Sequence, residues 1–280
     1  HNGTIKEFSS GEDIVTGIAD QFSLNREQRE AVLERIYKKE NRIVRTPLWH
    51  RLLYRAADSL ATKKLITRPT DTMRLTNKKE WMLTEKGYDT ALQLLHIPFS
   101  RKERLPVTSF EVQREIKKIK ESPRPDDYDP FETAKPAKMG TRTSSIRSRS
   151  FRHAVIETYN YTCCVCGLKM SSPDSLSWEV EAAHIVPHSL KGKDDLWNGV
   201  TLCRFHHWAF DVGWFSFSDD YRIIVSSQFK DIPPDFGLIE GFDLFRNSLK
   251  PNKMILLPEH DMFKPHKNVI EWHRNNVFYP

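Results

Sequence analysis

The chain has 280 residues, 39% hydrophobic and 29% charged, with a formal net charge of +6. That length holds two domains with cores of their own, and no apolar run approaches the ~20 residues of a membrane helix, so a membrane protein is not expected. All four cysteines lie between positions 163 and 203, which argues against a secreted disulfide framework and for metal binding in a reducing cytoplasm. No apolar leader is visible near the N-terminus, and a cytoplasmic location is expected.

In chain order, residues 25–40 are predicted as a helix. Val32, Leu33, Ile36 and Tyr37 recur at helical period, and Asn25 with Gln28 forms a capping-box pattern. A second helical stretch, one helix or two short ones, is expected from about 47 to 65. Pro47 suits its first turn, and Leu48, Leu52, Leu53, Ala56, Ala57 and Leu60 form its apolar stripe. A strand at 65–67, a polar loop with Arg68, Lys78 and Lys79, a strand from Trp81 and a helix through Leu95 follow. Leu83-Thr84-Glu85-Lys86-Gly87 resembles the segment after the wing in winged-helix DNA-binding domains. The resemblance and the element order imply a winged-helix-like DNA-reading domain over residues 1–97; a small helical interaction domain is the alternative. Arg51, Arg55, Lys63, Lys64 and Arg68 are candidate phosphate contacts. Trp49, His50, Tyr54 and Trp81 either enclose a modified base or fill the core.

Residues 98–139 are predicted as a proline-punctuated linker with one amphipathic helix near 110–120 and a solvated acidic stretch, Asp126-Asp127-Tyr128-Asp129. Residues 101–152 hold fourteen basic and eight acidic side chains, an excess equal to the whole chain's +6. Lys138, Arg142, Arg147, Arg149 and Arg152 have no acid among them. They form either a solvated linker or an arm that tracks phosphates.

The second domain is expected over 140–280. A helix at 151–159, a strand at 178–185, a loop at 190–198, a short helix at 203–212 and a hairpin from 214–217 and 221–225 make the fold class α+β. Cys163-x-x-Cys166 and Cys203-x-x-His206 supply two ligand pairs whose two-residue spacers let both side chains of a pair converge. Zn²⁺ favours such tetrahedral sulfur and nitrogen sets. The set is closed by protein ligands, so a structural zinc is expected. Cys164 could replace Cys163 only with a poorer one-residue spacer.

His207 and Asp211 are four apart and share one helix face. An imidazole and a carboxylate with open positions suit Mg²⁺ or Mn²⁺. His184 is the candidate general base, since neutral imidazole accepts a proton near pH 7. Asn198 either holds a backbone amide and carbonyl together or orients that imidazole.

Ala182-Ala183-His184-Ile185-x-Pro187, then Asn198-Gly199, then His207-x-x-Phe210-Asp211 resembles the HNH (ββα-metal) nucleases, and within them a restriction endonuclease group. The tail Trp272-His273-Arg274-x-x-Val277-Phe278 resembles the end of that group. The resemblance covers roughly 140–280. It implies a zinc-stapled ββα-metal domain in which His184 activates water, Asn198 orients the site, and His207 and Asp211 hold an ion at the scissile phosphate. It implies double-stranded DNA as substrate, 5′-phosphate and 3′-hydroxyl products, and a homodimer, because one site cuts one strand. Many relatives carry an acid or His ligand immediately before the base, where this chain has Ala183; Glu181 or His188 are alternative contributors. The architecture resembles winged-helix–HNH restriction enzymes, some of which depend on base methylation; here methylation could be required or could block cutting. The competing readings are a zinc-stabilised DNA-binding regulator without catalysis and a nuclease acting on RNA or unusual structures.

Overall fold

The computed structural model describes residues 12–37, 41–105, 107–132, 141–173, 177–228 and 247–280. They divide into two compact units, His1–Arg114 and Glu115–Pro280.

The first unit runs α1 (Glu12–Gln21), α2 (Arg26–Glu30), β1 (Val32–Tyr37), β2 (Arg42–Pro47), α3 (Leu48–Thr62), α4 (Pro69–Thr76) and α5 (Glu85–Leu94), and ends within α6 (Phe110–Glu121). The capping box at Asn25 forms in both directions: Gln28 N donates to Asn25 Oδ1 and Asn25 N to Gln28 Oε1, each at 2.9 Å. The helix predicted over 25–40 nevertheless stops at Glu30, and β1 pairs antiparallel with β2 in the register Ile36↔Ile43. Val32, Ile36 and Tyr37 are strand formers, and a partner strand overrides a short helical period. α1 had no counterpart among the expected elements. α3 lies where the second helical stretch was expected, with Ala57 and Trp81 buried in a core shared with Ile18, Leu53 and Ile66.

The loop expected around 68–79 contains α4, started by Pro69 and closed by left-handed Asn77 at φ +59°. Ile66 and Leu83 form a single antiparallel bridge rather than two strands. Among the described residues of this unit the only ladder is β1–β2, which precedes α3, so a winged-helix arrangement is not shown. The Leu83–Gly87 segment has its own physical account. Thr84 caps α5 by accepting from Gly87 N at 3.0 Å and donates to Lys64 O at 2.6 Å. A Cβ at Gly87 would sit 1.7 Å from Leu65 O, so only glycine permits this joint.

The second unit holds α7 (Thr141–Thr158), β3 (Val180–His184), β4 (Gly199–Cys203), α8 (Arg204–Asp211), β5 (Phe215–Phe217), β6 (Ile223–Val225) and α9 (Lys267–Asn276). β3 and β4 are antiparallel from Val180↔Cys203 to His184↔Gly199, and α8 follows β4 without a loop. α7 covers the hairpin with buried Phe151, Ala154 and Val155 against Ala183, Val200 and Leu202. Gly199 allows the close approach, because a Cβ there would lie 2.5 Å from Val155 Cγ2 and 3.0 Å from Phe151 Cε2. β5–β6 and α9 close the other side, with Phe215, Phe217, Val269 and Ile270 buried alongside Phe210 of α8.

Two linker expectations change here. Asp126, Asp127 and Asp129 are exposed as expected, but Tyr128 between them is buried and donates to Asp195 Oδ1 at 2.6 Å. Lys193 N bonds Pro130 O at 2.9 Å and Glu132 N bonds Lys191 O at 2.8 Å, so this stretch is strapped onto the loop before Asn198. The basic run is not an arm from Thr141 onward: it is the first half of α7, extending the helix expected at 151–159.

Candidate metal cluster and catalytic cleft

The ligand atoms of Cys163, Cys166, Cys203 and His206 all lie within 4.8 Å of one another. Two local structures bring them together. The turn after Cys163 is closed by Gly167 N donating to Cys163 O at 2.9 Å, with Gly167 at φ +80°, a conformation glycine adopts freely. Cys203 is the residue before α8, so His206 returns one turn later, and its Nδ1 lies 3.1 Å from Cys203 Sγ and 3.7 Å from Cys163 Sγ. Three thiols and an imidazole at this spacing fit tetrahedral zinc. Hydrogen bonds from Cys166 and Cys203 push the Cys163 thiol down, and the same bonding pushes Cys203 up. Cys164 is excluded from the set. It is fully buried, its thiol is raised by that burial, and its backbone bonds Thr201 O and Leu256 N.

On the same hairpin and helix, His184, His188, His207 and Asp211 line one cleft of about 350 Å³, with Ala182, Ile185 and Pro187 in its wall. His207 Nε2 lies 3.6 Å from Asp211 Oδ2, as the four-residue spacing requires, and its Nδ1 lies 3.0 Å from Glu181 Oε2. Burial opposes charge on His207, but the Glu181 bond and the charges of Asp211 and Glu181 raise it above its ordinary value. Glu181 is held down, chiefly by that same bond. The Asp211 carboxyl is raised by burial in spite of His207.

His184 ends β3. Its ring stacks on Phe151 at 3.9 Å and 16°, and its Nε2 lies 2.9 Å from Asp194 Oδ1. Asn198 is fully buried and does the first of the two jobs expected of it. Its Oδ1 accepts from Val186 N at 2.7 Å, and its Nδ2 donates to Val186 O and Lys193 O, both at 3.0 Å. It pins both ends of the loop that follows His184.

Residues 163–218 match the sequence model of the HNH endonuclease family. The chain carries an HNH endonuclease domain. No curated protein matches the chain. A solved structure titled "Modification dependent TagI restriction endonuclease" shares 18% identity with it at a TM-score of 0.34, over 50% of this chain and 44% of that one. The chain thus spans less than half of that protein's length.

The matched HNH segment contains the cysteine–histidine cluster and His184, His188, His207 and Asp211 of the cleft, while His273 and Val277, which also line the cleft, come from the C-terminal region, and α7, β6 and α9 lie outside the segment. Two carboxylates of the site carried little sequence signal. Glu181 was only a weak alternative, because β3 gave no reason to aim it at α8. Asp194 was missed, because nothing in Asp194-Asp195 says that the first carboxylate takes His184 and the second Tyr128.

The expected phosphate contacts are altered by the fold. Arg149 is 1% exposed and so is not a side chain that reaches out to a phosphate. Arg147 is half-buried and paired with Glu132 at 2.6 Å, and Arg152 is half-buried. Lys138 lies outside the described residues, as does the side chain of Arg142. In the first unit Arg55, Lys63, Lys64 and Arg68 are exposed and Arg51 is half-buried. Trp81 is core and Trp49 Nε1 donates to Val15 O at 3.1 Å; Tyr54 remains exposed beside Trp81.

Proposed function

We propose that the chain is a metal-dependent DNA endonuclease of restriction type, with His184 as general base and His207 and Asp211 as ligands of a catalytic Mg²⁺ or Mn²⁺. The observation that carries this reading is the shared cleft: a histidine held at the end of β3 faces an imidazole–carboxylate pair on α8, within a segment that matches the HNH endonuclease family.

The donor set fits both ions. Cys163, Cys166, Cys203 and His206 would hold zinc in a closed structural site. An imidazole nitrogen and a carboxylate oxygen 3.6 Å apart in an open cleft leave room for water and phosphate around a harder cation. When bound, that cation supplies charge stabilisation at the phosphate and at the leaving 3′ oxygen. Glu181 accepts the Nδ1 proton of His207 and so turns the Nε2 lone pair toward Asp211. His184 takes a proton from the attacking water, the new phosphorus–oxygen bond forms, and the bond to the 3′ oxygen breaks with a proton from solvent completing the alcohol. The ends are 5′-phosphate and 3′-hydroxyl. Such positioned proton transfer contributes roughly 10²–10⁴-fold in rate.

One such site cuts one strand, so a homodimer on double-stranded DNA is part of this reading. The exposed basic residues Arg55, Lys63, Lys64 and Arg68 of the first unit are its candidate phosphate contacts, and dependence on base methylation is its finer form.

The test is cleavage of matched plasmids with and without adenine or cytosine methylation, in Mg²⁺ or Mn²⁺, by wild type and His184→Ala. Metal-dependent cutting that the substitution abolishes supports the reading, and a difference between plasmids decides the role of methylation. Binding to every plasmid with cutting of none overturns it in favour of a zinc-stabilised DNA-binding regulator.

A further inference from the structure

We propose that Asp194 is a positioning residue for the base: its carboxylate fixes His184 as the Nε2–H tautomer and leaves Nδ1 as the nitrogen that accepts the proton. This deepens the endonuclease reading and rests on it for its kinetic arm.

The geometry is specific. Asp194 Oδ1 lies 2.9 Å from His184 Nε2, and the Asp194 side chain is 9% exposed. A carboxylate accepts and an imidazole carries one ring proton when neutral, so the proton in this bond belongs to Nε2. The other faces of the imidazole are constrained as well. Phe151 from α7 stacks on it, and the ring of His188 lies 5.9 Å away. Asp194 is itself held in place by chain structure. Asn198 Nδ2 fixes the neighbouring Lys193 carbonyl, and Asp195 is held by Tyr128 and accepts from Asn198 N at 3.2 Å. Adjacent carboxylates therefore point to opposite sides of the loop, one to the strap and one to the base. His184 and His207 are set in opposite senses. Glu181 takes Nδ1 of His207 and leaves Nε2 for a cation, whereas Asp194 takes Nε2 of His184 and leaves Nδ1 for water.

When His184 takes the proton it becomes an imidazolium whose positive charge faces Asp194. Among the described residues, the charged and titratable groups around His184 are Asp194 and His188 from the following loop, His207 and Asp211 from α8 and His273 from α9. Arg147 from α7 acts on Asp194 in turn. Of these, Asp194 is the one bonded to the ring.

Two measurements on the intact, zinc-loaded chain test the assignment. Two-bond proton–nitrogen correlation spectra of histidine-labelled protein, with His184 assigned from a His184→Gln sample, should show the Nε2–H tautomer. Asp194→Ala should mix the tautomers. The Nδ1–H tautomer in wild type, or no change in Asp194→Ala, overturns the proposal. For cutting, Asp194→Asn should lower kcat roughly 10- to 100-fold and leave DNA affinity in Ca²⁺ unchanged. Asp194→Glu should recover part of the rate. A fall in rate that tracks lost thermal stability, with no recovery in Asp194→Glu, would make Asp194 merely structural and overturn the assignment. If wild type cuts no DNA, the endonuclease reading fails on its own, and the spectra alone decide the role of Asp194.

Discussion

His206 and His207 are neighbours in sequence but point to different centres. His206 Nδ1 lies 3.1 Å from Cys203 Sγ, and His207 Nδ1 lies 3.0 Å from Glu181 Oε2. Successive side chains on a helix diverge by about 100°, so one turn of α8 can staple the fold with one imidazole and furnish the cleft with the next. Substitution should separate the two. His206→Ala is expected to lose tightly held zinc and to lower the melting temperature by many degrees, since a closed metal site contributes folding energy. His207→Ala should keep the zinc and its stability while losing cutting. Metal content by mass spectrometry alongside thermal melts checks this, and equal zinc loss in both variants would refute the separation.

Cys164 sits beside two ligands and takes no part in the cluster. Its thiol is buried, and its amide and carbonyl bond Thr201 and Leu256. Cys164→Ala should therefore retain one zinc per chain and cost only about 1 kcal/mol, the loss of one small buried group. Cys163→Ala should release the metal. Loss of zinc from the Cys164 variant would return that residue to the ligand set.

The cluster was legible because ligand spacing is a local property of sequence. Cys-x-x-Cys and Cys-x-x-His name their partners wherever the pairs meet, and the spacing from His207 to Asp211 needs only a helix. The strand that ends at His184 and the helix that carries His207 were legible from local pattern as well, whereas β4 at Gly199–Cys203 was expected only through the HNH resemblance. What escaped depends on contacts between distant segments. Tyr128 finds Asp195, Asp194 finds His184, and Glu181 reaches across to α8; none of these pairs has a fixed spacing. In the first unit, the six residues of β1 carry a pattern that suits helix or strand equally, and the partner strand β2 decided it. The basic run before the cluster read as a solvated linker or a phosphate-tracking arm because no acid lies among its five basic residues, yet α7 buries Arg149, Ser150 and Phe151 within it.

Gly199 couples the hairpin to the base. It pairs with His184 across β3–β4, and an added Cβ would press on Val155 and on the Phe151 ring that stacks against His184. Val155 Cγ2 is at 2.5 Å from that Cβ, too near to accept without movement. Gly199→Ala should destabilise by roughly 1–3 kcal/mol through overpacking. It should also lower the cutting rate at a temperature where the variant is fully folded, because the stacked ring must shift. A variant that melts early but cuts normally when folded would show that Phe151 only packs.

His273 ties α9 to the end of α8, and its burial makes stability depend on pH. Nε2 lies 3.2 Å from Phe210 O, Nδ1 lies 2.9 Å from Ser216 Oγ, and the ring stacks on Phe210 at 3.7 Å. The side chain is buried, and that burial pushes its pKa down to about 4 against a small opposing effect of the Phe210 carbonyl. The unfolded chain takes up this proton near pH 6.5, so between about 6.5 and 4 the unfolded state holds more protons than the folded one. Stability from this group is therefore fully present above pH 6.5 and lost as pH falls through that window, by about 2 kcal/mol at pH 5. His273→Gln removes the titrating group, so urea unfolding at pH 7 and pH 5 should show a smaller fall for the variant than for wild type. Parallel falls in the two proteins would mean that His273 carries no such linkage and that other groups govern the acid sensitivity of this unit.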